Sequence, residues 1–268
     1  MPDKEILVIT KGHPFERDPF ARIFDEMPGV NWTHVEQPAA QVFFDPALAA
    51  AYDAFVLYDM PGIRFRPGEL PELLEPSPEL VTNMRALLEK GFGIVAMHHA
   101  IAGWPAWSEY AEMLGGRFLY AEAALRGQSK PDSGYRHGVA QNIEILADHP
   151  ITRGVAPFGI SDEAYLFEVF EDSVEPILAS DYEFVRDNFY SATLAVRDGK
   201  LFTNEGWDHP PGSRYVGWVK NHLSSPIAYL QFGDDPVAYE NAGFRQLLAN
   251  AINWVTSEEA HAWARARG

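Results

Sequence analysis

The chain of 268 residues contains no cysteine. That excludes disulfides, thiolate metal sites and a cysteine nucleophile, so any metal has to be held by His, Asp or Glu. Positive charge is also scarce: 21 Lys and Arg stand against 38 Asp and Glu, for a formal net charge of −17. A phosphate-binding surface needs clustered Lys and Arg, so neither nucleic acid nor an anionic membrane is expected as a partner. No apolar run approaches the roughly 18 residues that span a bilayer. The opening MPDKEILVIT has a charged start and no small-residue cleavage site, which gives the expectation of a cytoplasmic protein entering its first strand directly. The length suits one α/β domain over residues 1–268 with insertions.

Short apolar runs alternate with helical patterns, which predicts an α/β fold with a mostly parallel, flavodoxin-like sheet, helices on both faces and an irregular β-rich second half. Strands are expected over Glu5–Thr10, Val30–Glu36, Ala54–Tyr58 and the apolar run before His98. Asp18 and Pro19 are expected to open a helix bearing Phe20, Ile23, Phe24 and Met27. Ser77 and Pro78 open another, with Leu80, Met84, Leu87 and Leu88 on one stripe and Lys90–Gly91 as its close. Helices are further expected over Trp104–Leu114 and Ala242–Val255, and Pro61–Pro78 reads as a surface excursion. In the second half, strands are expected at 142–146, 175–178, 192–196, 201–203, 215–219 and 227–232, extending the sheet or forming an antiparallel annex.

The most informative segment is GFGIVAMHHA, Gly91 to Ala100. Ala96 and Ala100 stand two positions either side of His98, the small-x-X-x-small pattern of an elbow that exposes one side chain above a sheet edge. An ordinary buried strand running into a loop histidine is the alternative. Ligands of open α/β sheets bind at the carboxyl ends of the strands, a rule that gathers Gly12 and His13, Asp59, and His98 with His99. Two further groups of residues join them. SDEAYLF offers Glu163 and Tyr165, unless Asp162 and Glu163 merely decorate a helix start capped by Ser161. The run Asn204–Trp218 offers Glu205, Trp207, Asp208, His209 and Tyr215, either as a structural loop pinned by tryptophans or as a face for a polyhydroxylated ligand. His222 carries lower weight.

These motifs together resemble the trehalose-utilisation ThuA-like family, whose fold is similar to the glutamine amidotransferases. The matching pieces are KGHPF after the first strand, GFGIVAMHHA, EYAEMLGGRF, DHPITRGV, SDEAYLF and the closing FRQLLANAINWV. The resemblance implies that His98 occupies the seat an amidotransferase gives to cysteine, which excludes thioester chemistry here. It also implies that Glu163 and Tyr165 belong to the site. Family members often carry Gly-His after the last core strand, whereas QFGDD places Asp234 there; the role is then filled by a carboxylate or moved to His209 or His222.

The expected function is a carbohydrate-processing enzyme, an isomerase, lyase or hydrolase working on a sugar, keto-sugar or similar polar molecule by His/carboxylate acid-base chemistry. Its expected catalytic residues are His98, His13, Glu163 and His209. Its expected substrate contacts are Asp59, His99, Tyr165, Glu205, Trp207 and Tyr215. A divalent metal such as zinc is compatible with the composition, with His13, His98, Glu205 and His209 as candidate ligands, although HxH and HExxH spacings are absent. No nucleotide cofactor is expected, and a homodimer is the default assembly. The alternative is a non-catalytic sugar-binding or regulatory domain on the same fold.

Overall fold

The computed structural model describes residues 3–268. Strand β1 (Lys4–Lys11), helix α1 (Arg17–Asp25) and strand β2 (Val30–Glu36) form the first unit, followed by β3 (Ala54–Asp59), α2 (Pro78–Lys90), β4 (Gly93–Met97) and α3 (Ser108–Leu114). The second half supplies β5 (Gly134–Ile145), β6 (Phe158–Leu166), β7 (Glu175–Ser180), β8 (Tyr190–Ser191), α4 (Ala192–Asp198), β9 (Tyr215–His222), β10 (Ser225–Leu230), α5 (Ala242–Val255) and α6 (Glu258–Arg265).

The central sheet runs β6-β5-β7-β9-β10-β4-β3-β1-β2, with β8 paired to β5. Its block β2-β1-β3-β4-β10 is parallel. Counted along the parallel strands alone, the order is the flavodoxin-like 2-1-3-4-5. From β10 outward the pairings are antiparallel, so the irregular second half both extends the sheet and forms the annex.

Alternating side chains divide the core between the two faces. Ile6, Val8, Val56, Val95 and Met97 pack under α1 and α5 on one side, while Leu7, Ile9, Phe55, Leu57, Ile94 and Ala96 meet α2 and α3 on the other. The expected stripe of α5, Phe244, Leu247, Leu248, Ala251, Ile252 and Val255, is fully buried. Ser77 caps α2 by accepting from Leu80 N–H at 3.1 Å, and Gly91 ends it. No helix among the described residues is long and apolar enough to cross a membrane.

Four expectations are corrected. The first helix begins at Arg17, one residue before Asp18, and Met27 is buried beyond its end. The helix after the elbow begins only at Ser108, because Trp104 has a positive φ of 44° and Pro105 has no N–H to continue a ladder. Residues 192–196 are helical: Ser191 caps them by accepting from Leu194 N–H, and Asp132 takes Thr193 N–H, so local capping outweighs the strand-like composition. Residues 201–203 form no strand: Leu201 and Phe202 lie in a turn and are exposed.

Candidate functional site

The buried strand β4 ends at Met97 in extended conformation, and His98 then turns to a φ of 47° and opens a 3-10 turn. A non-glycine residue in the left-handed region costs about 1–2 kcal/mol, and such strain clusters where a side chain must be held at an angle regular structure cannot provide. The backbone makes the expected elbow, but the side chain it carries is fully buried and not exposed above the sheet edge. The elbow aims the His98 ring into the annex, where Nδ1–H donates to the Gln231 carbonyl at 2.8 Å. Nε2 stands 3.1 Å from Glu163 Oε2, 3.5 Å from Asp234 Oδ1 and 2.8 Å from Tyr165 Oη.

SDEAYLF lies in strand β6, not at a helix start. Period-2 alternation therefore puts Glu163 and Tyr165 on one face, toward His98, and Asp162 on the other. Asp162 is nevertheless part of the construction: its carboxylate accepts Gly233 N–H at 2.7 Å and Asp234 N–H at 3.0 Å, locking the turn that carries Asp234. Gly233 has a φ of 109°, a conformation that glycine alone adopts without penalty.

On the opposite rim β1 delivers His13. Gly12, at φ 107°, makes the turn, and a Cβ there would fall 2.5 Å from the Met60 carbonyl oxygen. The His13 ring stacks on His99 at 4.5 Å and meets His98 edge-on at 5.9 Å. Its Nδ1–H donates to Pro14 O at 2.9 Å, which leaves the lone pair on Nε2.

Burial alone lowers the basicity of His98, but hydrogen bonds to Asp234 and Glu163 outweigh it and hold the imidazolium well above the usual 6.5. His13 is lowered by burial and by the neighbouring His98 charge, and His99 is pushed well below 6.5 by burial and by His13 and His98. At neutral pH the trio is thus one imidazolium flanked by two neutral rings. Burial raises the Asp234 carboxyl, yet bonds to His137 and His98 win and keep it well below the usual carboxylate range. Tyr165 is raised well above 10 by burial and by Glu163, so its hydroxyl stays protonated.

His99 turns away from the site, with its Nε2 3.1 Å from Tyr58 O and its plane at 86° to that of His98. It backs His13 and does not face a ligand. Asp59 is buried, accepting from Gln37 Nε2 at 2.7 Å, and burial raises its carboxyl to about 7. It supports Gln37, which lines a cavity of ≈ 480 Å³ together with Lys11, Gly12, Gln41, Met60 and Trp104; of the cluster's surroundings only Gly12, the residue before His13, reaches that lining.

The 204–218 run does not join this cluster. Glu205 is exposed, Trp207 Nε1 donates to Asp132 at 2.9 Å, His209 packs on Trp207 with its Nδ1–H on Pro210 O, and Tyr215 opens β9. Among the described residues, no hydrogen bond, ion pair or ring contact links these four to His98, His13 or Glu163. The structure does not bring these four to the cluster; it holds them in a separate loop, as two prolines and a buried indole allow. His222 pairs with Glu109 at 3.4 Å, away from the cluster.

The residue that sequence reasoning missed is His137, whose Nδ1 lies 3.3 Å from Glu163 Oε1 and 3.4 Å from Asp234 Oδ2. It sits where the β5–β6 register shifts between Arg136 and Val139. A glycine inside a strand pattern, Gly138 here, signals such a bulge, and bulges re-aim side chains beside sites. Asp234, at the position where family members often carry the histidine of Gly-His, contacts both His98 and His137, whereas His209 and His222 lie away from the cluster.

The donors available to a cation are thus His13, Glu163 and Asp234, whose ligand atoms lie within 4.8 Å of one another, with His137 adjacent.

Solved structures share this arrangement of chain. A ThuA-like protein from Parabacteroides merdae superposes with a TM-score of 0.66 at 13% identity, covering 95% of this chain and 90% of its own. One from Bacteroides uniformis gives 0.59 at 16%, covering 96% and 93%. A cytoplasmic protein from Salmonella typhimurium gives 0.54 at 11%, covering 94% and 100%. At these identities the likeness speaks for the fold alone. No curated protein matches the chain in sequence. The family model described as trehalose utilisation, however, matches residues 5–255. An elbow histidine, the strand SDEAYLF and that match over most of the length converge on one assignment: the chain belongs to the ThuA family.

Proposed function

We propose that this cluster is the catalytic site of an enzyme that transfers protons on a carbohydrate-like small molecule, a keto-sugar being the simplest substrate. The observation that carries the reading is the His98 imidazolium held between Glu163, Asp234 and Tyr165 next to a neutral His13. Proton donors and electron-pair donors then face one another across a few ångströms. Tyr165 can supply a hydrogen bond or a proton to a substrate oxygen, with the buried His98 imidazolium orienting it and the two acids from behind, while His13 Nε2 and the carboxylates supply lone pairs. A C–H beside a carbonyl becomes removable when the developing oxyanion is stabilised in this way, giving isomerisation or elimination.

A cavity of ≈ 480 Å³ whose lining includes Gly12, the residue before His13, has the size and lining for a molecule of this class. Gln37, Gln41 and Lys11 offer amide and ammonium partners to hydroxyls, and Trp104 offers a ring face to C–H surface. Membership of a family described as trehalose utilisation supports the substrate class.

The test is hydrogen–deuterium exchange followed by NMR on a panel of keto-sugars and glycosides in D2O. Enzyme-dependent exchange or product formation, reduced about 10²–10⁴-fold in Tyr165→Phe, is expected. Tight ligand binding with neither exchange nor product on any substrate would replace the enzyme by a sugar-binding module.

A further inference from the structure

We infer that His13, Glu163, Asp234 and His137 form a four-donor site for a divalent cation of the zinc class. One ligand atom from each of the first three lies within 4.8 Å of the others. His137 stands outside that group of three, with its Nδ1 3.3 Å from Glu163 Oε1 and 3.4 Å from Asp234 Oδ2, and joins it from the side of the two carboxylates. Around a tetrahedral ion with metal–N and metal–O distances of about 2.0–2.2 Å, neighbouring donors sit about 3.3–3.6 Å apart. A charge-assisted hydrogen bond would draw the same atoms to about 2.7–2.9 Å. The two His137 spacings fall on the edge length of a coordination tetrahedron, and without a cation the one to Asp234 is a long hydrogen bond.

The groups behind these donors are arranged as a metal site needs. His13 gives its Nδ1–H to the Pro14 carbonyl, so Nε2 is the nitrogen left to ligate; a carbonyl acceptor in that position fixes the tautomer of ligating histidines. Both carboxylates divide their oxygens in the same sense. Glu163 turns Oε2 and Asp234 turns Oδ1 toward His98, while Oε1 and Oδ2 face His137. The elbow histidine is therefore a positioning residue that orients both acids from behind. Two imidazoles and two carboxylates, with no sulfur, suit zinc and neighbouring first-row divalent ions.

The ligand set anticipated from the sequence included His98, Glu205 and His209. The first lies behind the donors and the other two lie on the 204–218 loop. His137 has 48% of its side chain exposed, so the open side of the site faces solvent. An oxygen of the substrate or a water can approach the cation there, where a Lewis acid polarises it. The identity of that substrate rests on the keto-sugar reading above; the cation site does not.

Chelator-stripped full-length protein is titrated with zinc chloride by calorimetry and with cobalt chloride by visible absorption. One equivalent per chain is expected, with the intense visible bands of four-coordinate Co²⁺. His137→Ala and Asp234→Asn should each weaken binding by about tenfold or more, with His209→Ala unchanged. His137 is half exposed, so its variant decides the matter if Asp234→Asn fails to fold. Sub-stoichiometric binding by the parent protein, or binding that His137→Ala leaves intact, overturns the site. One equivalent bound without any sugar turnover upholds the site and removes the substrate reading; turnover that survives chelation in protein that binds no cation does the reverse.

Discussion

Replacing His98 by asparagine removes the positive charge between two buried carboxylates while keeping a residue that tolerates the left-handed elbow. Glu163 and Asp234 have side-chain exposures of 3% and 13%, so neither can recover its hydration in the folded state. Removing one partner of a buried pair of this kind costs about 3–5 kcal/mol. The pH dependence has a definite sign. His98 is raised above 6.5 in the folded chain, so its stabilisation is complete below 6.5, declines above it and is lost as pH rises through the folded value. Asp234 is depressed, so its contribution is present above 3.8 and is lost as pH falls through the folded value. The gap between parent and His98→Asn should therefore be widest from about pH 4 to 6.5 and narrow in alkali. Urea unfolding at pH 5.5 and pH 9 in the presence of a chelator measures it, and nitrogen NMR of the histidines reads the protonation directly. Equal stability of the two proteins at pH 5.5, or a neutral His98 ring at pH 6.5, would refute the reasoning.

Other perturbations separate the parts of the argument. Gly233→Ala forces a side chain into φ 109° with Met97 and Phe244 atoms 3.3 Å from the new Cβ; a loss of about 1–3 kcal/mol together with impaired function is expected from denaturation and the exchange assay. Asp59→Asn removes a carboxyl that burial holds at about 7. Because ionising that carboxyl opposes folding as pH rises from its unfolded value, the variant should gain stability over the parent at pH 8 and little at pH 4, as thermal unfolding at the two pH values will tell. Leu248→Ala, in the buried stripe of α5, should cost about 2–5 kcal/mol by urea unfolding, with site chemistry retained in the protein that stays folded. His209→Ala should leave sugar exchange within twofold of the parent, since it touches none of the cluster; a large loss would restore the 204–218 loop to the site.

Local rules were enough for much of this molecule. The strand boundaries of β2, the full extent of α2 and α5, and the elbow at His98 all follow from period, cap and small-residue spacing, because those signals act within a few residues of the chain. So do the exclusion of thiol chemistry and the placing of His13 and His98 at strand ends able to converge, whereas Glu163 and Tyr165 came from the family resemblance and their strand only from the structure. Only the tertiary structure decided which polar groups actually meet. Glu205, Trp207, His209 and Tyr215 looked as suitable as any, but the indole of Trp207 is spent on Asp132 and the loop turns elsewhere. His137 carried no signal in the sequence reading, yet the bulge in β5 places it against Glu163 and Asp234. Convergence of that kind depends on sheet order and on the register of strands far apart in sequence, and neither quantity is encoded in any short window of residues.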